Sequence, residues 1–378
     1  MKNIYLDNAA TTPILPEVIS LITSSMETVY GNPSSTHQIG RKAKSLVETA
    51  RKNIAKHFNA ASNEIFFTAG GSEADNLILR NAVVNLGVKV IISSKIEHHA
   101  VLHTIESLEK EFSIKVLWVD LNEKGGINYA HLEQLLQNEN EKVLVSLMYI
   151  NNEIGNILNV KKVSEMCEAN NALFHSDSVQ TIGHFKFDIT ETPIDFFVAS
   201  AHKFHGPKGV GFAYIKKGFG IAPILHGGEQ EKGARAGTEN VHSILGMEKA
   251  LEIAYANLEE EARYIKELKR YFIDILKANF NNIVFNGFSE DENKSSYIIL
   301  NVRFPKEYSM LLFNLDLKGI SVSGGSACQS GSNKGSHVLN TILNEELAKH
   351  TSVRFSFNKY NTTEEIDEVV TVLKGLVV

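Results

Sequence analysis

Val143-Leu144-Val145-Ser146-Leu147-Met148 is apolar on both alternating sets of positions, the pattern of a strand covered on both faces rather than one lying against water. Such strands belong to parallel sheets sandwiched by helices. Working outward from 143–148, short β-branched or aromatic runs recur at 65–68, 88–92, 116–119, 143–149, 173–176 and 196–200, with helix-like stretches between them. That alternation builds βαβ units. The expected fold is α/β, with a mostly parallel central sheet flanked by helices. In such sheets the ligand sits at the carboxyl ends of the strands.

The chain has 378 residues and 43% hydrophobic content, enough for one large domain and a smaller one. After Met247 a helix-like segment rich in Glu, Lys, Leu and Ala runs through Leu258-Glu259-Glu260-Glu261 to about Phe280, and reads as the link into a second domain. That domain should hold strands near 297–302, 320–323 and 352–356 and a closing helix from Thr363. The expected division is 14–258 for the large domain, and 1–13 with 259–378 for a smaller α+β domain. No apolar run reaches the ~20 residues that cross a bilayer, and Met1-Lys2-Asn3-Ile4-Tyr5-Leu6-Asp7 lacks the basic-then-apolar pattern of a signal peptide. A cytoplasmic protein without a membrane partner is expected. Two cysteines, Cys167 and Cys328, are too few for a disulfide framework. A formal charge of −6 argues against direct nucleic-acid binding as the main role of the fold.

The chemistry-bearing residues follow the predicted strand ends. Ser200-Ala201-His202-Lys203 comes just after the apolar run 196–199, and a buried lysine is costly to keep charged, so it is usually there to react or to be neutralised. Upstream, Phe174-His175-Ser176-Asp177-Ser178-Val179-Gln180 puts a carboxylate at the end of another strand. An amine for a Schiff base and an anion to keep a pyridinium protonated are the two groups that pyridoxal 5'-phosphate requires. Lys203 and Asp177 fit those roles. A surface lysine and a helix-capping aspartate is the competing interpretation of these two segments.

Thr68-Ala69-Gly70-Gly71-Ser72-Glu73 follows a strand and opens a helix. Bare glycine backbone, helix N-terminal amides and the Ser72 hydroxyl make a phosphate site there, although tight strand-to-helix turns also use Gly-Gly. Ser200 and His202 stand ready to complete its shell. In Glu97-His98-His99 an imidazole can stack on a planar cofactor and exchange a proton near neutral pH, or it belongs to a solvated pair at a helix start. Asn151-Asn152-Glu153-Ile154-Gly155 offers amides for the cofactor's phenolic oxygen and a substrate carboxylate, though turn chemistry also favours these residues. Gln180 is a second candidate for the phenolic oxygen.

Two late motifs bear on the substrate. Gly324-Gly325-Ser326-Ala327-Cys328-Gln329-Ser330-Gly331-Ser332 sets a thiol in a Gly/Ser-rich segment, where exposure and reactivity are expected. Cys167, within the helix-like Val163-Ser164-Glu165-Met166-Cys167, reads instead as a small apolar residue. In Ser352-Val353-Arg354-Phe355-Ser356 a guanidinium lies between apolar neighbours, suited to a bidentate clamp on a carboxylate or to a structural ion pair. No metal site is expected.

These residues together resemble the cysteine desulfurases of the class V aminotransferase group, in particular the group I type that feeds iron–sulfur cluster assembly. The likeness runs nearly end to end, through Tyr5-Leu6-Asp7-Asn8-Ala9-Ala10-Thr11-Thr12-Pro13, Gly31-Asn32-Pro33-Ser34-Ser35, Glu97-His98, the Asn151–Gly155 segment, Ser200-Ala201-His202-Lys203, Gly206-Pro207-Lys208-Gly209 and Arg235-Ala236-Gly237-Thr238-Glu239-Asn240. The resemblance implies a fold type I pyridoxal-phosphate enzyme. It implies that Lys203 carries the cofactor, Asp177 binds the ring nitrogen, Gln180 the phenolic oxygen, and His98 stacks on the ring. Gly71, Ser72, Ser200 and His202 would bind phosphate. Thr238 would reach the phosphate of a neighbouring subunit, which implies a homodimer. Asn152 and Arg354 would hold the carboxylate of L-cysteine, and Cys328 would accept its sulfur. The chain departs from the family at Ser332-Asn333-Lys334-Gly335-Ser336, which replaces the usual Leu-acidic/basic-Pro-Ser run.

The implied reaction turns L-cysteine into L-alanine and leaves a persulfide on Cys328, with sulfur passed to an iron–sulfur scaffold protein or another acceptor such as a transfer-RNA thiolation protein. A class V aminotransferase or a selenocysteine lyase on the same fold is the alternative. Cys328 speaks against transamination. A non-catalytic scaffold has no need for Lys203, Asp177, Arg354 and Cys328 together.

Overall fold

The computed structural model describes residues 3–324 and 335–377. In chain order the strands and helices are β1 (Ile4–Tyr5), α1 (Pro16–Thr28), α2 (Gln38–Lys56), β2 (Ile65–Thr68), α3 (Gly71–Val84), β3 (Val90–Ser93), α4 (His99–Phe112), β4 (Lys115–Trp118), α5 (Tyr129–Gln137), β5 (Val143–Ser146), α6 (Val160–Ala169), β6 (Leu173–Asp177), β7 (Phe196–Ser200) and β8 (Gly211–Ile215). They continue with α7 (Val241–Ala256), α8 (Leu258–Asn279), β9 (Val284–Phe285), β10 (Ile299–Arg303), α9 (Leu311–Leu317), β11 (Ile320–Ser321), α10 (His337–Ile342), α11 (Glu345–Ala348), β12 (Ser352–Ser356) and α12 (Thr363–Leu376).

β2 to β8 form one sheet in the order β2-β8-β7-β6-β5-β3-β4. β8 is antiparallel to both of its neighbours, and the other strands share one direction. The expected mostly parallel α/β sheet is therefore present. Both faces are covered, as the pattern at 143–148 requires: Val143, Val145, Phe174 and Phe197 pack with α2, α6 and α7 on one side, whereas Leu144, Leu173, Phe196 and Val198 pack with α3 and α4 on the other. The ladder of β5 stops at Ser146, short of the expected 149. Beyond it the chain still follows β6, through Leu147 N–H to His175 O at 3.1 Å and Tyr149 N–H to Asp177 O at 2.9 Å. This carries Met148 toward the strand ends.

A second apolar core joins α8, α9, α12, β10 and β12, and includes Ile4, Leu6 and Ala9 from the start of the chain. β1 pairs in parallel with β11, and β10 lies antiparallel between β9 and β12. We propose the division 14–258 against 1–13 with 259–378 on this separation of cores. The expected single helical link after Met247 is instead two helices, α7 and α8. They break at Asn257, whose backbone is non-helical (φ −111°, ψ 9°) and whose side-chain amide donates to Ile253 O at 3.0 Å, an asparagine's usual competition with the helical pattern. Among the described residues no helix is long and apolar enough to cross a membrane.

Candidate active site

The strand ends converge on a cavity of about 200 Å³ lined by Ala9, Ala10, Gly71, Ser72, Asp75, His98, Met148, Asn152, Asp177, Val179, Gln180, Ser200, His202, Lys203 and Arg354. Every described residue expected at the site lines this cavity except Thr238.

Ser72 sits in the first turn of α3, directly after β2. A Cβ on Gly71 would lie 2.6 Å from Val179 Cγ2, so only bare backbone fits between α3 and the β6 turn. Amides at a helix N-terminus, two serine hydroxyls and the His202 imidazole form a cradle for an anion. Burial and the neighbouring Lys203 push His202 down to about 4. It is therefore neutral at pH 7, and it meets Thr11 Oγ1 at 3.2 Å through Nδ1. Arg235 braces α3 from outside with a 2.9 Å ion pair to Glu73.

Lys203 stands three residues past the expected strand end at Ser200, in a short 3-10 turn, and is half-buried. Its Nζ donates to Ala9 O at 2.6 Å and Ala10 O at 2.9 Å. Gln180 Nε2 also donates to Ala9 O, at 2.9 Å, so one of its N–H groups serves the scaffold. Asp177 closes β6 and accepts from Val179 N–H at 3.0 Å. His98 caps α4, its Nδ1 accepting from Ala100 N–H at 3.1 Å. That fixes the proton on Nε2. Burial lowers the His98 pKa, and Asp177 offsets part of the shift, so the imidazole is neutral at neutral pH rather than poised to exchange a proton there.

Arg354, on β12, is 1% exposed. Nη1 donates to Asn152 O at 2.7 Å and Nη2 to Asp7 Oδ1 at 2.9 Å, while Nε has no partner among the described residues. Asn152 Oδ1 is likewise buried and unpaired. The two asparagines after β5 divide the work. Asn151 turns inward, donating to Ile96 O at 2.9 Å and accepting from Glu153 N–H at 2.9 Å, while Asn152 lines the cavity.

Thr238 is exposed, in a separate groove with Arg235, Gly237 and Glu239. Cys328 lies outside the described residues. The chain on either side of 325–334 is fastened at the site: Ser323 exchanges backbone bonds with Arg354 at 2.6 and 3.2 Å, and Ser336 Oγ donates to Glu153 Oε2. Cys167 is buried and its thiol is pushed up by burial, which fits the inert reading.

Sequence reasoning gave no chemical role to Ala9 and Ala10, whose carbonyls hold Lys203, or to Asp7, which pairs with Arg354. It also passed over Asp75, one turn along α3 from Gly71 and Ser72. That helical spacing was the available signal.

An anion cradle, an amine and a carboxylate around one cavity of about 200 Å³ fit pyridoxal 5'-phosphate: Gly71, Ser72, Ser200 and His202 would face the phosphate, Asp177 the ring nitrogen and Lys203 the aldehyde carbon. Fold and site together define a pyridoxal-phosphate enzyme of fold type I. The aminotransferase class-V family matches residues 4–369, and the chain belongs to that family. It is similar to the "Cysteine desulfurase IscS" of Clostridium botulinum, 41% identical over 381 residues that cover 100% of this chain and 94% of the relative. The enzyme of the same name from Dictyoglomus turgidum is 39% identical over 382 residues, covering 100% and 95%. Among solved structures, one titled "NIFS-LIKE PROTEIN" superposes with a TM-score of 0.90 at 35% identity, covering 99% of each chain.

Proposed function

We propose that this pyridoxal-phosphate enzyme is a cysteine desulfurase that converts L-cysteine to L-alanine and passes the sulfur to Cys328. The observation that carries this reading is the meeting of Lys203, Asp177 and Arg354 on one cavity, with both flanks of the Cys328 segment fastened beside it.

Bound pyridoxal phosphate supplies a protonated ring that takes up the electron pair left at the substrate's α-carbon. Arg354 and Asn152 hold the substrate carboxylate, using the Nε and Oδ1 atoms left unpaired. Lys203 removes the α-proton at Nζ, released from the Ala9 and Ala10 carbonyls. Asp177 keeps the ring nitrogen protonated, and His98 covers the ring. The Cys328 thiolate then attacks the substrate sulfur. An S–S bond forms as the substrate Cβ–S bond breaks, Cβ takes the electron pair and a proton to become a methyl group, and Lys203 returns a proton to the α-carbon to give L-alanine.

A homodimer in which Thr238 serves the partner's phosphate is supported by the place of Thr238 in a groove separate from its own chain's cavity and by the exposed Ile19, Met26, Tyr30 and Leu225. An iron–sulfur scaffold protein as sulfur acceptor, with transfer-RNA thiolation as a second outlet, rests on the family resemblance. So does a cytoplasmic location, with the small cysteine count. The test is product analysis with L-cysteine and a reductant. L-alanine and sulfide should form in equal amounts, and Lys203→Ala should give neither and lose the yellow cofactor colour. A wild-type protein that binds the cofactor but yields pyruvate, or no alanine, refutes the proposal.

A further inference from the structure

Asp75 is 1% exposed, and it shares its cavity with a second carboxylate, Asp177. It has no arginine or lysine partner. Its Oδ1 lies 3.4 Å from Nε2 of His175, which is 0% exposed, and neither atom has a hydrogen-bond partner among the described residues. On the far side of that ring, Nδ1 meets Ser146 Oγ at 2.9 Å. Burial drives the His175 pKa down to about 3, so at neutral pH the imidazole is uncharged. An uncharged imidazole has one N–H. If Nδ1–H donates to Ser146 Oγ, Nε2 is a bare acceptor facing Asp75, and only an O–H on Asp75 satisfies it.

We propose that Asp75 works as a neutral carboxylic acid and, with His175, is a positioning pair that leaves Asp177 the sole anion on the floor of the cofactor cavity. Two buried carboxylates lining one cavity do not both ionise cheaply, and environment decides which one keeps its proton. Asp177 accepts the Val179 amide N–H at 3.0 Å. Asp75 has only the imidazole. Burial, then repulsion from Asp177 and Glu97, raises the Asp75 pKa well above the usual carboxylate range. Among the described residues the charged and titratable groups around it are Asp177 and His175 from β6, Glu97 and His98 from the turn before α4, His202 and Lys203 after β7, and Arg354 on β12. The consequence is that the ring nitrogen faces one localised charge. The site's reach to the cofactor rests on the reading of Asp177 above; the protonation state of Asp75 does not.

The test is infrared spectroscopy at pH 7 of the protein carrying aspartate labelled with carbon-13 at the side-chain carboxyl, with and without cofactor. A protonated-carboxyl stretch above the amide band should shift with the label, persist in Asp177→Asn and vanish in Asp75→Asn. Glu97 is also buried with a raised pKa, and any band from it is insensitive to the label. An absent label-sensitive band in the wild type overturns the proposal without any variant being needed. So does a band that survives in Asp75→Asn. A second readout is stability against pH in the cofactor-free protein. Asp75 holds its proton in the folded state and releases it in the unfolded state above about pH 4. Its stabilising effect is thus full below that pH and is lost as pH rises toward the folded pKa. The wild-type unfolding constant, divided by that of Asp75→Asn, should climb about tenfold per pH unit above pH 4. A flat ratio is the contrary result.

Discussion

Arg354→Lys keeps the positive charge and removes the fork. The guanidinium already spends Nη1 on Asn152 O and Nη2 on Asp7 Oδ1, at 2.7 and 2.9 Å, and has Nε to spare. A lysine is a point donor that cannot span Asn152 O, Asp7 and a substrate carboxylate together. At least one charge-assisted hydrogen bond is lost. Such bonds are worth about 1.5–3 kcal/mol, and at 1.36 kcal/mol per factor of ten this predicts a fall in kcat/KM of about 10- to 150-fold. Because the substrate's carboxylate is gripped before and during reaction, most of the loss should appear in KM. Steady-state alanine production against L-cysteine concentration measures both constants, and the cofactor absorbance of the variant checks that the site is loaded. A variant with wild-type KM and an unchanged cofactor spectrum refutes the clamp and makes Arg354 a structural ion pair with Asp7.

Asp177→Asn should retain cofactor while turnover falls roughly 10²-fold, about 2.7 kcal/mol of barrier; near-normal turnover would mean that another group supports the ring nitrogen. Acid should destabilise the fold through its buried histidines. His184, whose Nε2 lies 2.8 Å from Lys203 O, has its pKa lowered by burial to about 4. Its unfolded counterpart takes up a proton near pH ~6.5, so stability is full above that pH and is lost as pH falls toward 4. Chemical denaturation across this window should show His184→Gln to have a pH slope one proton smaller than wild type, and equal slopes contradict the assignment.

The sheet was readable because its central strands open on runs that are apolar on both faces, Val143-Leu144-Val145, Leu173-Phe174 and Phe196-Phe197-Val198-Ala199, and β5, β6 and β7 are buried throughout. Their ends carry Asn152, Asp177 and Lys203, so the site could be located from strand ends alone. The direction of β8 was not readable. Gly211–Ile215 pairs antiparallel with β2 and β7, and strand direction is set by pairing partners far apart in sequence. The break at Asn257 was hidden by good helix formers on both sides. Asp75 and His175 were missed because each sits within an otherwise ordinary helix or strand, and only the fold brings Oδ1 and Nε2 to 3.4 Å. Asp7 and Ala9 to Ala10 belong to a motif whose work is done by one side chain and two backbone carbonyls, and a carbonyl leaves no mark on residue type.

The sulfur-accepting role proposed for Cys328 is what would separate this chain from a transaminating relative. Mass spectrometry of the intact and digested protein after exposure to L-cysteine without reductant tests it most directly. The account predicts one added sulfur, ~32 Da, on the peptide containing Cys328 and none on that containing Cys167. It also predicts that Cys328→Ser keeps its bound cofactor but forms no alanine. Sulfur mapped to Cys167, or a Cys328→Ser protein that makes alanine at the wild-type rate, would contradict it.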